Sequence, residues 1–178
     1  MRILKWLLAV VVLLVLAVVA GAYLLPERAQ VSRSIVIKAS PEAVFAQVND
    51  LHQFAEWSPW SGIDPAMTMR FEGPEAGVGQ KMVWSSEHQE VGNGSQEITA
   101  SSENQRVETM LDFGEMGTAT AAFVLEPVDD GTRVTWAFET ALGNSPIKRW
   151  MGLMMDRWVG DMYDQGLATL KQRVEAGS

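Results

Sequence analysis

Cysteine is absent from the 178 residues, and histidine occurs only twice. Without cysteine there is no disulfide, no thiolate metal site, no cysteine nucleophile and no lipid on an amino-terminal cysteine; the redox compartment stays open. Basic residues are scarce, 14 Lys and Arg against 22 Asp and Glu, for a net charge of −8. Two of the 14, Arg2 and Lys5, sit at the amino terminus, so the remainder is more acidic still. Such a domain, without basic clusters, is a poor partner for nucleic acid or anionic headgroups. Charge is missing altogether from Trp6 to Leu25. A helix of that length spans about 30 Å, the thickness of a bilayer's hydrocarbon layer.

That run divides the chain into residues 1–26, a transmembrane anchor, residues 27–30, a short linker, and residues 31–176, the folded domain. The rival is a cleaved signal peptide, with a basic start and small residues at Ala20 and Ala22. The run is longer than a usual signal core and continues through Tyr23, Leu24 and Leu25, which favours a retained, single-pass anchor. Arg2 and Lys5 favour an inside amino terminus, although Arg28, Arg33 and Lys38 lie on the other flank. The expected location is the cell membrane with the domain on the outer side.

What is abundant is apolar: 47% of residues, with seven Trp and ten Met. Methionine suits surfaces that must fit more than one shape. Val31 to Lys38 alternates and is β-branched, a first strand. Ser40-Pro41-Glu42 opens a short helix by the cap-then-proline rule, and Leu51 to Glu56 a second. Trp57-Ser58-Pro59-Trp60 is a stiff aromatic corner, either a plug closing one end of the core or a lip on a pocket. About six strands follow, separated by turn signals such as Gly92-Asn93-Gly94, Asn104-Gln105 and Asp129-Asp130-Gly131; short connections imply antiparallel meander pairing. A last helix is expected from Ser145 to about Glu175. Ile147, Trp150, Met151, Met154, Met155, Trp158, Val159, Met162, Leu167 and Leu170 form its apolar face, and Lys148, Arg149, Arg157, Asp161 and Asp164 the opposite one. The expected class is α+β: a curved antiparallel sheet of about seven strands around a long carboxyl-terminal helix, with two short helices after strand 1 and the amino-terminal helix outside.

Several phrases resemble the SRPBCC superfamily, the START, birch-pollen-allergen and polyketide cyclase/dehydrase group. They are Ser34-Ile35-Val36-Ile37 with Ser40-Pro41-Glu42-Ala43-Val44-Phe45, Trp57-Ser58-Pro59-Trp60, Phe71-Glu72-Gly73-Pro74, Gly77-Val78-Gly79, and Trp84 followed by Val91-Gly92-Asn93-Gly94. Gly152-Leu153-Met154-Met155-Asp156 and Gly166-Leu167-Ala168-Thr169-Leu170-Lys171 complete them. The likeness spans about residues 31–175 and is most similar to the bacterial polyketide cyclase-like branch, whose members often carry one membrane helix. It implies the helix-grip fold and a hydrophobic-ligand cavity between sheet and long helix. It does not imply one activity.

Catalytic groups are hard to name. His88 lies before a turn, on the face of Trp84 by strand alternation, and reads as a solvated strand end, the alternative being an acid/base role at the cavity mouth. His52 lies in another element, so neither a metal set nor an acid/base pair is indicated. Asn93-Gly94-Ser95 matches a glycosylation sequon formally and carries little weight. No catalytic residue, metal or cofactor is expected. The expected ligand contacts are Trp57, Trp60, Trp84, Phe123, Trp136, Met151, Met154, Met155 and Trp158. The first functional reading is a membrane-anchored binding or carrier module for a lipid, isoprenoid or polyketide-like molecule, with no nucleic acid partner. The alternatives are a cyclase/dehydrase-like enzyme and a protein-interaction module with a vestigial cavity.

Overall fold

The computed structural model describes residues 2–177. Helix α1, Arg2–Ala22, comes first. Ile3–Ala22 is long and apolar enough to cross a membrane, and the same holds for a signal sequence. Strand β1, Arg28–Ile37, starts inside the 27–30 stretch read as a linker. Three short helices follow rather than two. In α2, Pro41–Val48, the Ser40 hydroxyl accepts from the Ala43 N–H at 3.3 Å. In α3, Leu51–Trp57, the Asp50 carboxylate accepts from the His52 N–H at 2.8 Å. The third, α4, Pro59–Ile63, begins at the proline whose fixed φ suits a first helical turn. The Trp57-Ser58-Pro59-Trp60 corner is therefore a joint between two helices.

The remaining strands are β2 (Thr68–Glu72), β3 (Lys81–Ser85), β4 (Asn93–Ser102), β5 (Arg106–Asp112), β6 (Thr118–Val128) and β7 (Gly131–Ala141). They form one seven-stranded sheet in the order β1-β7-β6-β5-β4-β3-β2, antiparallel throughout. The meander is broken only where β1 crosses to pair with β7, from Arg28↔Ala141 to Ile37↔Thr132. That pairing joins the two ends of the folded domain. The β6–β7 hairpin turns at Asp129-Asp130, and Gly131 must be glycine: its φ is +135°, and a Cβ there would lie 2.1 Å from the Ile37 carbonyl oxygen.

Alternation puts Ala119, Ala121, Phe123 and Leu125 of β6 and Val134, Trp136 and Phe138 of β7 on the concave side. Helix α5, Pro146–Ala176, crosses that side. It lies along β1 and touches α1, α2, α3 and α4. Ser145 caps it, accepting from the Lys148 N–H at 3.4 Å. The architecture is the helix grip expected from the sequence.

The face α5 turns inward keeps Leu167 and Leu170 of the expected one, with Met155 and Val159 half-buried at its edge, but is centred elsewhere. Buried on it are Arg149, Gly160, Tyr163, Gly166, Leu167, Leu170 and Val174. Three glycines mark closest approach: a Cβ on Gly152 would meet Leu142, on Gly160 the Arg33 guanidinium, and on Gly166 the Trp136 ring and Pro59. Interior helical glycine costs about 1 kcal/mol against alanine. Here the residues without side chains let the helix settle onto its neighbours. Counting hydrophobic residues selects the broad methionine and tryptophan face instead; close packing selects the glycine face.

Candidate functional site

The concave interior is filled by aromatic rings at its centre. Trp136 stacks on Tyr163 with centroids 3.7 Å apart and planes 9° apart. Phe123 also stacks on Trp136, with centroids 4.9 Å apart and planes 28° apart. Trp57 and Phe54 meet Trp136 edge-on at 5.6 and 5.8 Å, and Trp60 closes the set at 6.0 Å. Such edge-to-face and offset pairs each add about 0.5–1.5 kcal/mol beyond their burial. Burial pushes the Tyr163 hydroxyl's pKa far up, so it stays protonated. The Trp57 indole N–H donates to the Gln47 carbonyl at 3.3 Å. The buried Trp136 indole N–H has no partner, the one such side-chain atom among the described residues.

Of the nine expected contacts, Trp57, Phe123 and Trp136 are in this cluster, buried, with Trp60 half-buried at its edge. Trp84 is half-buried farther along the sheet, edge-on to Phe113 at 6.1 Å, its N–H directed to the Val91 carbonyl at 3.4 Å. Met155 is half-buried against the core. Met151, Met154 and Trp158 are not brought in: each is 49% exposed, on the side of α5 turned away from the sheet. Tyr163 and Phe54 were missed. Tyr163 continues the row that ends Leu167, Leu170 and Val174, a signal visible once the glycine face is taken as the inner one.

The polar groups nearby serve structure. Arg33, on the inward side of β1, reaches α5: its guanidinium donates to Asp156 at 3.0 Å and Asp164 at 3.2 Å, and to the Asp156 carbonyl at 2.9 Å. The hydrogen bond from Arg33 holds Asp156 below its ordinary carboxylate range. Gln80, fully buried, accepts from the Leu51 N–H at 2.6 Å and donates to Asp50 at 2.9 Å, latching the start of α3 to the turn before β3. His52 stacks on Phe71 at 4.0 Å beside that latch. Burial works against the Asp50 carboxylate, but hydrogen bonds from Gln80 and His52 outweigh it and lower its pKa. His88 lies past the end of β3, exposed in the turn, so it does not share Trp84's strand face. Among the described residues no group of three or more His, Asp or Glu is placed to hold a metal.

Two open depressions lie elsewhere. One, about 440 Å³, is on the outer face of the sheet by Gln30, Arg106, Thr120 and Glu139. The other, about 710 Å³, is an open hollow by the β4–β5 turn, around Asn104, Arg106 and Pro127. Half-buried Trp60, Trp84, Leu111, Phe113, Met155 and Val159 pack against the edge of this interior.

The family model for polyketide cyclase/dehydrase and lipid transport proteins matches residues 28–175. The chain belongs to this family. The match begins at the first residue of β1 and ends within the last turn of α5, so it takes in the whole grip and leaves out α1. Among solved structures, Ara h 8.0201 is similar at 13% identity with a TM-score of 0.60, covering 84% of this chain and 99% of that one. A protein from Mesorhizobium loti is similar at 17% identity, TM-score 0.59, over 84% of this chain and 98% of its own. Aha1 from Colwellia psychrerythraea, solved as a dimer, follows at 21% identity, TM-score 0.55, over 84% and 98%. Identities this low establish the shared fold only. No curated protein matches the chain in sequence. Membership in this family makes the grip a hydrophobic-ligand fold.

Proposed function

We propose that the chain is a membrane-anchored binding or carrier module for a hydrophobic small molecule of the lipid, isoprenoid or polyketide class. Helix α1 is its single-pass anchor, with the amino terminus inside and the domain outside, as Arg2 and Lys5 favour. The observation that carries the reading is the half-buried apolar rim of Trp60, Trp84, Phe113, Met155 and Val159 beside the aromatic interior. These side chains are apolar, and each keeps part of its surface open to solvent. The ligand enters under the first half of α5, contacts Trp60, Trp84 and Met155, and rests on a floor of Trp57, Phe123 and Trp136. The unpartnered Trp136 N–H is a donor that a ligand oxygen or a water satisfies. Because the interior is filled at its centre, entry requires the rim to part.

Native mass spectrometry of the full chain, purified from its own host in detergent and followed by organic extraction, tests this. The expected result is a discrete co-purifying apolar compound, displaced by excess of a fluorescent fatty-acid or quinone probe. A second reading, a protein-interaction module with a vestigial cavity, draws on the filled aromatic centre together with the exposed apolar side of α5. An empty protein that binds none of a panel of hydrophobic probes overturns the carrier reading in its favour.

A further inference from the structure

The first half of α5 turns Arg149, Gly152 and Gly160 inward and an apolar side outward. Its inner side packs on the domain. Its outer side carries Ile147, Trp150, Met151, Met154 and Trp158, which fall on one side of a 3.6-residue helix and are 72%, 41%, 49%, 49% and 49% exposed. The same outer line becomes polar in the second half, at Asp161, Gln165 and Gln172. The stripe is therefore confined to about three turns. Those are the turns next to α1. The Trp150 indole N–H donates to the Val18 carbonyl at 3.1 Å, and a Cβ on Gly21 would lie 3.4 Å from the Trp150 ring. Arg149 secures the junction: it is 3% exposed, donates to the Gly143 carbonyl at 2.8 Å and to Glu27 at 2.9 Å, and lies over the Tyr23 ring at 5.4 Å. All the residues from Ile3 to Ala20 are exposed, so α5 crosses the end of α1 rather than running beside it.

We propose that the outer stripe of α5, Ile147 to Trp158, lies in the headgroup–acyl boundary of the bilayer that α1 spans. The inference rests on the anchor reading above. Val18 is one turn, about 6 Å, inside the carboxyl end of α1, which sets the Trp150 ring at the level where indoles concentrate in membrane proteins. A helix with an apolar stripe including tryptophan, flanked by cations such as Lys148 and Arg157, is the form that rests in that boundary, its apolar side about 5–10 Å deep. Seated so, the rim under α5 opens onto the membrane, and an apolar ligand passes between bilayer and grip without crossing water.

The absence of cysteine makes the test direct, since any introduced thiol is unique. The full chain is reconstituted in phosphatidylcholine vesicles with an environment-sensitive fluorophore on Met154→Cys, on Gln165→Cys, which shares the same side of α5 beyond the stripe, or on Leu13→Cys within α1. Nitroxide lipids, labelled at a shallow acyl position for residues 154 and 165 and at a deep one for residue 13, quench from the bilayer, and iodide quenches from water. The expected result is lipid quenching at position 154 about threefold or more above that at 165, with matching protection from iodide. The double variant Met151→Asp, Trp158→Asp should reduce the lipid quenching at 154 while the far-ultraviolet spectrum and melting temperature hold. Position 13 quenched by lipid with position 154 open to iodide overturns the seat and leaves the anchor standing. Position 154 shielded from both quenchers means that protein covers the stripe and also overturns it. An unquenched position 13 overturns the anchor, and the seat falls with it. Ligand retention is read separately by mass spectrometry.

Discussion

Gly166 shows how tightly the aromatic interior is set. A Cβ there would sit 2.8 Å from the Trp136 ring and 3.1 Å from Pro59. Alanine would gain about 1 kcal/mol of helix propensity, but overpacking a rigid core costs about 1–3 kcal/mol. Trp136 cannot yield, held between Tyr163 and Phe123. Gly166→Ala is therefore expected to lose up to about 2 kcal/mol net in urea unfolding. Gly62→Ala, whose Cβ would meet nothing within 4 Å, should be neutral or stabilising. Gly160→Ala falls between them, because its clash is with the movable end of Arg33. Equal losses at 62 and 166 would contradict the packing account.

At the scale of the element, the junction of α1 and α5 turns on one side chain. Arg149 bonds the Gly143, Leu25 and Tyr23 carbonyls as well as Glu27 and Asn144. Arg149→Met removes the charged donor shared by three carbonyls and leaves the site without its hydrogen bonds, a cost of about 1–3 kcal/mol. The expected outcome is faster proteolysis between Tyr23 and Arg28 and a lower melting temperature. Arg149→Lys should rescue only part, since an ammonium lacks the guanidinium's planar fork. Glu27→Gln should cost little: Glu27 is 73% exposed, and ion pairs open to solvent contribute at most about 1 kcal/mol. If Glu27→Gln equals Arg149→Met, the ion pair and not the carbonyl bonding holds the joint.

For the whole molecule, acid should be the destabilising direction. Asp156 is lowered by its hydrogen bond from Arg33, Glu139 by those from Gln30 and Arg28, and Glu175 by that from the Lys38 backbone N–H. A carboxylate depressed in the folded state contributes stability that is complete above its unfolded pKa, near 4, and is lost as pH falls through the folded value. Melting temperature should therefore be insensitive to these groups from neutral pH down to about 5 and fall below about 4. Asp156→Asn should flatten that fall. An unchanged slope would mean that the Arg33 bridge, exposed on its carboxylate side, contributes nothing measurable. The sequence by itself determined the order of elements, the strand faces, the caps of α2 and α5 and the charge-free α1, because each is set by residues close along the chain. Ser40 and Ser145 cap as their positions require, and alternation aims Phe123 and Trp136 inward whatever lies opposite. Only the tertiary structure decided which side of α5 is inner, that Arg149 is buried, and that Met151, Met154 and Trp158 face outward. Those outcomes depend on partners distant in sequence: the Trp136 ring and the Arg33 guanidinium lie where side chains at 166 and 160 would stand, and the carbonyls after α1 draw in a charge that, read locally, belongs in water.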